Sequence, residues 1–375
     1  CWCYSNNALF TENNNGRLHK NIIMKLIKTV DAEGAVLCHD ITQIIKGVTK
    51  DAVFRKGHVV TKEDIPVLLS VGKDQLYVWE KEEGMLHEND GAEILCAMCK
   101  GEHMERSQAK EGKIELTAAC DGLLKVDNKG LKAVNGFGQM MIATRHGNFA
   151  VKKGDKLAGT RIIPLVIEEE KMTKAKEAAM AATGNKPILN LLPFKHKKVG
   201  IVTTGNEVFY GRIKDTFTPV IEGKLAEFDT EIIDHVTWND DDTKVTASIL
   251  DMIHKGADIV VCTGGMSVDP DDKTPLAIKN TGADIVSYGA PVLPGAMFML
   301  AYYQVTEGDD SRTVAIMGLP GCVMYAKRTI FDLVLPRVMA DDKVTAEELA
   351  ALGLGGLCLN CPVCTFPNCG FGKGV

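Results

Sequence analysis

The chain of 375 residues lacks three features, each of which would define a class of protein. No apolar run approaches the length of a membrane span, so a membrane protein is not expected. Positive charge is not in excess: the net charge is −6 and the pI is about 5.9, which argues against non-specific nucleic-acid binding. No apolar signal core precedes residue 20, so we expect a cytoplasmic protein without a disulfide framework.

What remains is ordinary globular composition, with 45% hydrophobic and 25% charged residues, enough for two or three domains. Residues 1–23 are Asn-rich and do not begin with Met, so we expect a disordered or non-native leader. The patterns that follow predict an N-terminal α+β domain at 24–170, a helix and linker at 171–197, an α/β domain at 198–340 and a Cys-rich tail at 341–375.

The N-terminal region has short apolar runs typical of strands, with helices expected near 63–70 and 90–99. Residues 171–183 are strong helix formers, and Gly184 and Asn185 mark the end of that helix. Six polar residues in the N-terminal region are candidates for chemistry, but structural or surface roles are expected for each: His39, Arg55, Lys56, His58, His87 and Glu88.

Residues 198–340 alternate between strand and helix patterns, which predicts a doubly wound, mainly parallel sheet. Thr218-Pro219 marks the start of one helix, and another helix is expected around 322–335. Gly308 to Asp310 mark the bend of a hairpin. Ligands bind beyond the carboxyl ends of the strands in such sheets. Four loops should therefore share one edge: Gly205 to Glu207, Asn239 to Asp242, Gly264 to Asp272 and Gly318 to Gly321.

The loop from Gly264 to Asp272 follows a buried β-branched strand and carries two glycines, a serine and three aspartates. It is compatible with an oxyanion cradle beside a cation held by Asp269, Asp271 and Asp272, and equally with a turn whose acids cap the next helix. Thr274-Pro275 is typical of a helix cap and first turn. One Mg²⁺ needs only one or two carboxylates, so some acids of this edge must cap helices.

The motifs TTGNEV, CTGGMSVDPDD and GLPG, with the acids between them, resemble the MoaB/Mog-type molybdopterin-binding domain. The order and spacing over about residues 198–340 are similar to those of molybdopterin adenylyltransferases and of the MoeA- and gephyrin-like molybdenumtransferases. The resemblance implies that the domain binds molybdopterin or its adenylylated form. It further implies Mg²⁺-dependent insertion of molybdate, and pairing of subunits into a homodimer.

The resemblance also implies roles for particular residues. It implies that Glu207, Asp241 and Asp272 act as catalytic acids and ligands of Mg²⁺. Glycine amides and Ser267 would hold the pterin phosphate. The full set of residues expected to bind the cofactor is Thr204, Gly205, Gly264, Gly265, Ser267, Asp269, Thr274, Pro294, Gly295, Pro320 and Gly321.

Three departures separate this chain from the molybdenumtransferases. The family commonly has glycine where this chain has Asp269, and lysines where it has Leu293-Pro294-Gly295-Ala296-Met297. The family's GLPGNP becomes Gly318 to Val323, with Cys322 after the second glycine. A missing lysine removes a charge partner for molybdate or phosphate. The motifs of this chain therefore support ligand binding more strongly than they support molybdate insertion.

Four of the 12 cysteines are concentrated in the tail with the spacing C-x2-C-x2-C-x4-C. Four thiolates at this spacing are typical of tetrahedral Zn²⁺ or a [4Fe–4S] cluster, the alternative being a tail that binds nothing. The candidate metal ligands are Cys358, Cys361, Cys364 and Cys369. Cys96 and Cys99 on a predicted helix, and Cys322 after GLPG, are expected to pack in the core.

Three hypotheses for function follow. The first and favoured hypothesis is a molybdopterin molybdenumtransferase-like enzyme, which the retained acids Glu207, Asp241 and Asp272 support. The second is a non-catalytic molybdopterin carrier or sensor with a metal-binding tail, which the missing lysine favours. The third is a nucleotide hydrolase, because related domains occur beside nicotinamide-nucleotide deamidases.

Overall fold

A computed structural model describes residues 24–38, 40–45, 49–79, 84–267, 269–270, 272–307 and 310–374. Several sequence predictions lie outside these residues: the leader at 1–23, His39, Asp271, and the bend at 308–309. Among the described residues, no helix is both long and apolar enough to cross a membrane.

The elements are given in chain order. The strands before residue 170 are β1 (Met24–Lys28), β2 (Val36–Leu37), β3 (Ile41–Ile45), β4 (Thr49–Phe54), β5 (Gln75–Trp79), β6 (Met85–His87), β7 (Met104–Arg106), β8 (Lys113–Ala118), β9 (Gly122–Val126), β10 (Met140–Thr144), β11 (Phe149–Val151), β12 (Lys156–Ile162) and β13 (Val166–Glu168). The helices that begin in this region are α1 (Asp64–Ser70), α2 (Glu88–Cys99), α3 (Asn128–Asn135) and α4 (Glu169–Thr183).

The remainder of the chain contains the larger sheet. Its strands are β14 (Leu189–Pro193), β15 (Lys197–Thr204), β16 (Thr230–Trp238), β17 (Ile259–Thr263), β18 (Asp284–Tyr288), β19 (Met299–Glu307) and β20 (Asp310–Leu319). Its helices are α5 (Asn206–Phe209), α6 (Thr218–Leu225), α7 (Asp242–His254), α8 (Thr274–Asn280), α9 (Ile330–Met339) and α10 (Ala346–Ala351).

The chain forms two compact units. One combines residues up to Glu88 with Pro164–Glu170, and the other combines Asn89–Ile163 with Lys171–Val375. This division differs from the sequence-based boundaries, which place all of 24–170 in one domain.

The first unit contains the sheet β1-β5-β2, the pairs β3-β4 and β6-β13, and helix α1, which confirms the helix expected near 63–70. His58 Nε2 lies 2.7 Å from Asp64 Oδ2, and the same oxygen accepts from the Thr61 amide at 2.8 Å. Burial alone would raise the pKa of Asp64, but these hydrogen bonds lower it. His58 therefore has the structural role that was expected of it.

The second unit contains two small sheets, ordered β10-β12-β8-β7 and β11-β9-β14. Strand β14 pairs antiparallel with β9. The sequence predicts a linker up to residue 197, but Leu189–Pro193 within it form strand β14. Gly184 and Asn185 have positive φ angles of 63° and 64°, which agrees with their predicted role in ending α4.

The six-stranded sheet of the second unit has the order β16-β15-β17-β20-β19-β18. The first four strands are mutually parallel, and β19 runs antiparallel to both β20 and β18. Successive residues of a strand point to opposite faces. In β17, Ile259 and Val261 accordingly join the core under α6 and α9, whereas Val260 and Cys262 join the core under α7 and α8. The doubly wound, mainly parallel fold is confirmed.

The parallel strands β15, β16, β17 and β20 end at one edge of the sheet, as the sequence predicts. The helix expected around 322–335 was placed too early. Gly321–Met324 form only a 3₁₀ turn, and α9 begins at Ile330 behind a capping box made by Thr329 and Asp332. A cap satisfies amides that the first helical turn leaves without partners, and here it decides where the helix starts.

Candidate functional site

The turn after β17 is shaped by two glycines in the left-handed region. Gly264 has φ 83° and Gly265 has φ 56°. A Cβ on Gly264 would lie 2.0 Å from the carbonyl oxygen of Thr204, and a Cβ on Gly265 would lie 2.8 Å from Thr274 Oγ1. Packing against the end of β15 therefore requires glycine at both positions.

Two buried threonines pack against this turn. Thr204 and Thr274 are 4% and 2% exposed, and their hydroxyl oxygens lie 3.0 Å apart. The Thr204 hydroxyl also lies 3.3 Å from the carbonyl of Thr263, to which it can donate. The family resemblance implied that both threonines bind the ligand. The structure places them outside the lining of the cleft described below. Thr274 does not cap α8 either, because it is the first helical residue and Lys273 occupies the cap position.

The loop that follows is closed by Asp272. The Ser267 amide donates to Asp272 Oδ2 at 3.1 Å, and the Asp272 amide donates to the carbonyl of Asp269 at 2.9 Å. Ser267 and Asp269 are exposed, and Asp272 is half-buried. The Ser267 amide is thus already bonded to a carboxylate, which leaves its hydroxyl as the group available to a ligand.

A cleft of about 670 Å³ opens above this turn. Eight of the predicted site residues line it, namely Gly264, Gly265, Ser267, Asp272, Pro294, Gly295, Pro320 and Gly321. The rest of the lining is mostly apolar: Met266, Leu293, Ala296, Met297, Cys322, Met324 and Tyr325. Among the described residues, Asp272 is the one carboxylate in this lining, and no Lys, Arg or His side chain contributes to it.

The Pro294-Gly295 wall of the cleft rests on the start of α9. Gly295 has φ 131°, and a Cβ there would lie 2.4 Å from Ile330 Cγ2. The Ile330 amide donates to the carbonyl of Pro294 at 3.2 Å. This loop, which lacks the lysine of the molybdenumtransferases, is therefore held closely against the helix.

Tyr288 is a residue near the cleft that sequence reasoning missed. Its hydroxyl donates to the carbonyl of Met266 at 3.1 Å. Burial raises the pKa of Tyr288, and the charge of Asp272 raises it further. It lies on β18 at the far side of the sheet, and no local sequence signal connects it with the glycine loop.

Glu207 and Asp241, predicted to share a cation with Asp272, lie outside the lining of the cleft. Glu207 is exposed on the short helix α5, next to Gly205. Asp241 caps α7, because its Oδ1 accepts from the amides of Thr243 and Lys244 at 3.1 and 3.2 Å. Among the residues that the structure describes, no three His, Cys, Asp or Glu side chains form a group able to hold a metal ion. Because one Mg²⁺ needs only one or two carboxylates, the Mg²⁺ site that the resemblance implied stays a prediction, and Asp272 is its one predicted ligand among the described residues that lines the cleft.

Comparison with known proteins identifies the domain that contains the cleft. Residues 200–340 match the family described as a probable molybdopterin binding domain. The resemblance stated from the sequence motifs is confirmed for this segment, whereas no comparison specifically supports the MoeA-like branch. Residues 26–80 match a family described as a domain of unknown function.

The matches to curated proteins are short. A CinA-like protein of Mycobacterium tuberculosis is 34% identical over 77 residues, which cover 20% of this chain and 18% of that protein. A CinA-like protein of Mycobacterium avium is 32% identical over 77 residues with the same coverage. The chain thus spans 18% of the length of these relatives.

Solved structures that resemble the chain cover less than half of it. The tungsten cofactor synthesizing protein MoaB from Pyrococcus furiosus has 20% identity, covers 39% of this chain and 89% of its own, and has a TM-score of 0.29. The protein CinA from Thermoplasma acidophilum has 16% identity, covers 38% of this chain and 98% of its own, and has a TM-score of 0.30.

Four described cysteines outside the tail are buried or half-buried, namely Cys96, Cys99, Cys262 and Cys322. Cys96 and Cys99 on α2 are buried, and burial raises the pKa of both thiols, that of Cys99 to about 12. Cys262 lies within the sheet of the molybdopterin-binding domain, where burial raises its pKa to about 12. Cys322 is half-buried and lines the cleft, and burial raises its pKa as well. These shifts favour thiols over reactive thiolates.

The tail cysteines are found at a second cavity. Cys358, Cys361, Cys364 and Cys369 all line this space of about 430 Å³, which we name the tail cavity. Pro294 and Tyr325 line both the tail cavity and the cleft of the molybdopterin-binding domain. The cysteine-rich tail and the Gly264 to Asp272 loop, the two clearest motifs of the sequence, therefore line neighbouring cavities.

Proposed function

We propose that this chain binds molybdopterin, or its adenylylated form, in the cleft above the Gly264-Gly265 turn, and that it acts in molybdenum cofactor biosynthesis. One observation carries the proposal. The segment that matches a probable molybdopterin binding domain contains a cleft at the carboxyl edge of its parallel strands, lined by eight residues that the motifs single out. Its volume of about 670 Å³ suits a small-molecule ligand.

The composition of the cleft supports a particular mode of binding. As far as the structure describes its lining, the cleft has one carboxylate and no cationic side chain, so the ligand phosphate would be received by backbone amides of the glycine turn and the Ser267 hydroxyl. The apolar side chains of Leu293, Met297 and Tyr325 would receive the pterin ring.

Binding without catalysis is the function that this geometry supports best. Magnesium-dependent molybdenum transfer would need acids near the phosphate, and Glu207 and Asp241 lie outside the cleft lining. The Asp241 carboxylate already caps α7. The loop Leu293 to Met297 lacks the lysine that would pair with molybdate. A molybdopterin carrier or sensor is therefore favoured over a molybdenumtransferase. Molybdate as a second ligand and a homodimeric assembly remain predictions from the resemblance.

The cleft can be tested by filling it. Gly321 lines the cleft, and a Cβ there meets no atom within 4 Å, so Gly321→Phe should occupy the ligand space without distorting the backbone. Gly223 on α6 is exposed and equally open, which makes Gly223→Phe the matched control. We expect Gly321→Phe to weaken molybdopterin binding at least about tenfold and Gly223→Phe to leave it unchanged, as measured by equilibrium dialysis. Equal binding by both variants would overturn the assignment of the cleft.

The same protein separates binding from catalysis. Incubation with adenylylated molybdopterin, Mg²⁺ and molybdate should leave the ligand bound and release no AMP above a protein-free control. Release of AMP that is lost in Asp272→Ala would overturn the non-catalytic proposal and restore the transferase.

A further inference from the structure

The tail cavity has the size and the lining of a site for a small organic molecule. Its volume of about 430 Å³ lies within the range of roughly 300–1,000 Å³ that is typical of ligand pockets. Such pockets are mostly apolar and carry a few polar groups that orient the ligand. The apolar part of this lining includes Pro294, Ala326, Leu357, Leu359, Phe366 and Phe371.

Three large apolar side chains of this lining are exposed to water. Tyr325, Leu357 and Leu359 are 78%, 64% and 79% exposed. Exposed apolar surface that is concentrated around a cavity often marks a binding site. A flat apolar ligand in the cavity would remove part of this surface from water, which is favourable. The lining therefore favours a ligand with an apolar ring.

The inner walls of the tail cavity are held in place by the rest of the unit. Phe371 is buried and Phe366 is half-buried, both pack against the core of the second unit, and their ring centroids lie 6.2 Å apart. The amide of Cys358 donates to the carbonyl of Leu293 at 2.8 Å, which fixes the start of the tail. A site whose walls are already ordered loses less conformational entropy when a ligand binds.

One cation at the cavity has uncharged partners among the described residues. Lys327 lines the cavity, and its ammonium donates to the carbonyls of Pro362 at 2.8 Å and Cys361 at 3.3 Å. An ammonium has three N–H groups, so one remains for a ligand. Because carbonyls do not neutralise its charge, an anionic group of a ligand would gain a charge-assisted hydrogen bond here.

The charge of the neighbouring Arg328 is already compensated. Its Nη1 donates to Asp332 Oδ1 at 2.9 Å and to Glu227 Oε2 at 3.2 Å, and its guanidinium lies 5.1 Å from the ring centroid of Phe366. The charge available to a ligand is therefore that of Lys327. A carboxylate brings one negative charge, whereas a phosphate monoester brings about 1.5 to 2 at pH 7. A carboxylate thus matches the cavity better than a phosphate does.

We propose that the tail cavity binds a small aromatic carboxylate, with its ring against Phe366, Phe371 and Leu357 and its carboxylate on the ammonium of Lys327. This site is separate from the molybdopterin cleft, so either assignment can fail without the other. Metal binding by the four tail cysteines stays a prediction from their spacing.

Binding is measured by isothermal titration calorimetry on the full chain, with a reductant and a chelator present so that the thiols stay reduced and free of metal. Naphthoate is the probe, and naphthamide presents the same ring without the charge. We expect naphthoate to bind at least about fivefold more tightly, because only the carboxylate gains the charge-assisted hydrogen bond. Equal binding of the two, or no binding of naphthoate at about 1 mM, would overturn the proposal. Tighter binding of naphthyl phosphate than of naphthoate would overturn the choice of a carboxylate.

The role of Lys327 is tested with both ligands. Lys327→Met should weaken naphthoate at least about fivefold and leave naphthamide within about twofold of the parent chain, whereas Lys327→Arg keeps the charge and should retain most of the affinity. Lys279→Met is the control, because Lys279 is exposed on α8 and lines neither cavity, and it should change neither ligand. Equal weakening of both ligands by Lys327→Met would overturn the role of its charge, because the lost bonds to the tail would then explain the effect.

The location of the site is tested by filling the cavity. Gly370 lines it, and a Cβ at this position meets no atom within 4 Å, so Gly370→Phe should occupy the ligand space. We expect this variant to weaken both ligands at least about tenfold, with circular dichroism to check that the fold persists. Gly223→Phe, at the equally open position on α6, should change neither ligand. Equal affinities in the two variants would show that naphthoate binds elsewhere.

Discussion

The amide of Cys358 donates a hydrogen bond to the carbonyl of Leu293 at 2.8 Å, and the amide of Leu293 donates in turn to the carbonyl of Gly356 at 2.8 Å. These two bonds form a short parallel bridge between the segment that carries the first tail cysteine and the loop that lines the cleft. The cleft and the tail cavity are therefore built on the same stretch of backbone, and experiments on either must account for the stability of the other.

Gly264 should tolerate substitution much less well than another glycine with a similar backbone angle. Gly264→Ala places a Cβ 2.0 Å from the Thr204 carbonyl, whereas Gly282 has φ 81° with nothing within 4 Å of a Cβ. We expect Gly282→Ala to cost about 1–2 kcal/mol from backbone strain, and Gly264→Ala to cost clearly more. Chemical denaturation measures both. Equal losses would mean that packing against Thr204 is not what requires the glycine.

The hydroxyl pair of Thr204 and Thr274 should behave as a unit. Thr204→Val leaves the buried Thr274 hydroxyl without this partner, and we expect a loss of about 1–3 kcal/mol in the free energy of unfolding. The double valine variant should lose less than the sum of the two single variants, since no hydroxyl then remains unsatisfied. Thr313→Val, at an exposed hydrogen bond to Gln304, is the control and should change little. Strict additivity would contradict the coupling.

Breaking the buried ion pair of Lys224 and Asp332 should lower the free energy of unfolding more than breaking an exposed ion pair of the same unit. Lys224 Nζ donates to both carboxylate oxygens of Asp332 at 2.7 and 2.9 Å, and the two side chains are only 11% and 3% exposed. Lys224→Met leaves a buried carboxylate with fewer partners and should cost about 3–5 kcal/mol. Lys255→Met removes a lysine that is 51% exposed and should cost under about 1 kcal/mol, as measured by the same denaturation experiment. A similar small loss in both would refute the prediction.

Stability should fall in acid partly through Asp215. Burial alone would raise the pKa of this carboxyl, but hydrogen bonds from the hydroxyl and amide of Thr218 and the amide of Phe217 outweigh it and lower the pKa. A lowered pKa in the folded chain means that the stabilisation is present above the unfolded value of about 3.9 and is lost as the pH falls through the folded pKa.

Asp215→Asn should therefore lower the melting temperature at pH 7 and flatten its decline between about pH 5 and pH 2. Thermal melts across this range measure the effect. An unchanged slope in the variant would show that Asp215 does not contribute to acid sensitivity.

Much of the fold could be predicted because its signals are local. The run of β-branched and apolar residues from Ile259 to Cys262 is buried on both faces of the sheet, and the alternation of strands and helices determines which loops share an edge. Four separate motifs then agreed on one domain family, and a comparison confirmed it for residues 200–340.

The roles of individual polar residues at this edge were harder to predict, because several partners compete for each. A threonine hydroxyl after a strand suits a ligand or a neighbouring turn equally well, and only the fold brings Thr204 beside Thr274, 70 positions away. The same holds for the acids. Asp241 is committed to an exposed helix cap and Asp272 to the amide of Ser267, choices that depend on loop geometry and not on residue type.

Pro294 and Tyr325 line both the cleft and the tail cavity, and this shared wall has a thermodynamic consequence. If occupation of one space moves the wall, the affinity of the other space changes, and linkage requires the effect to be equal in the reverse direction. Oxidation of the tail thiols that shifted Pro294 would then be measurable as a change in ligand affinity, with every residue of the cleft chemically intact.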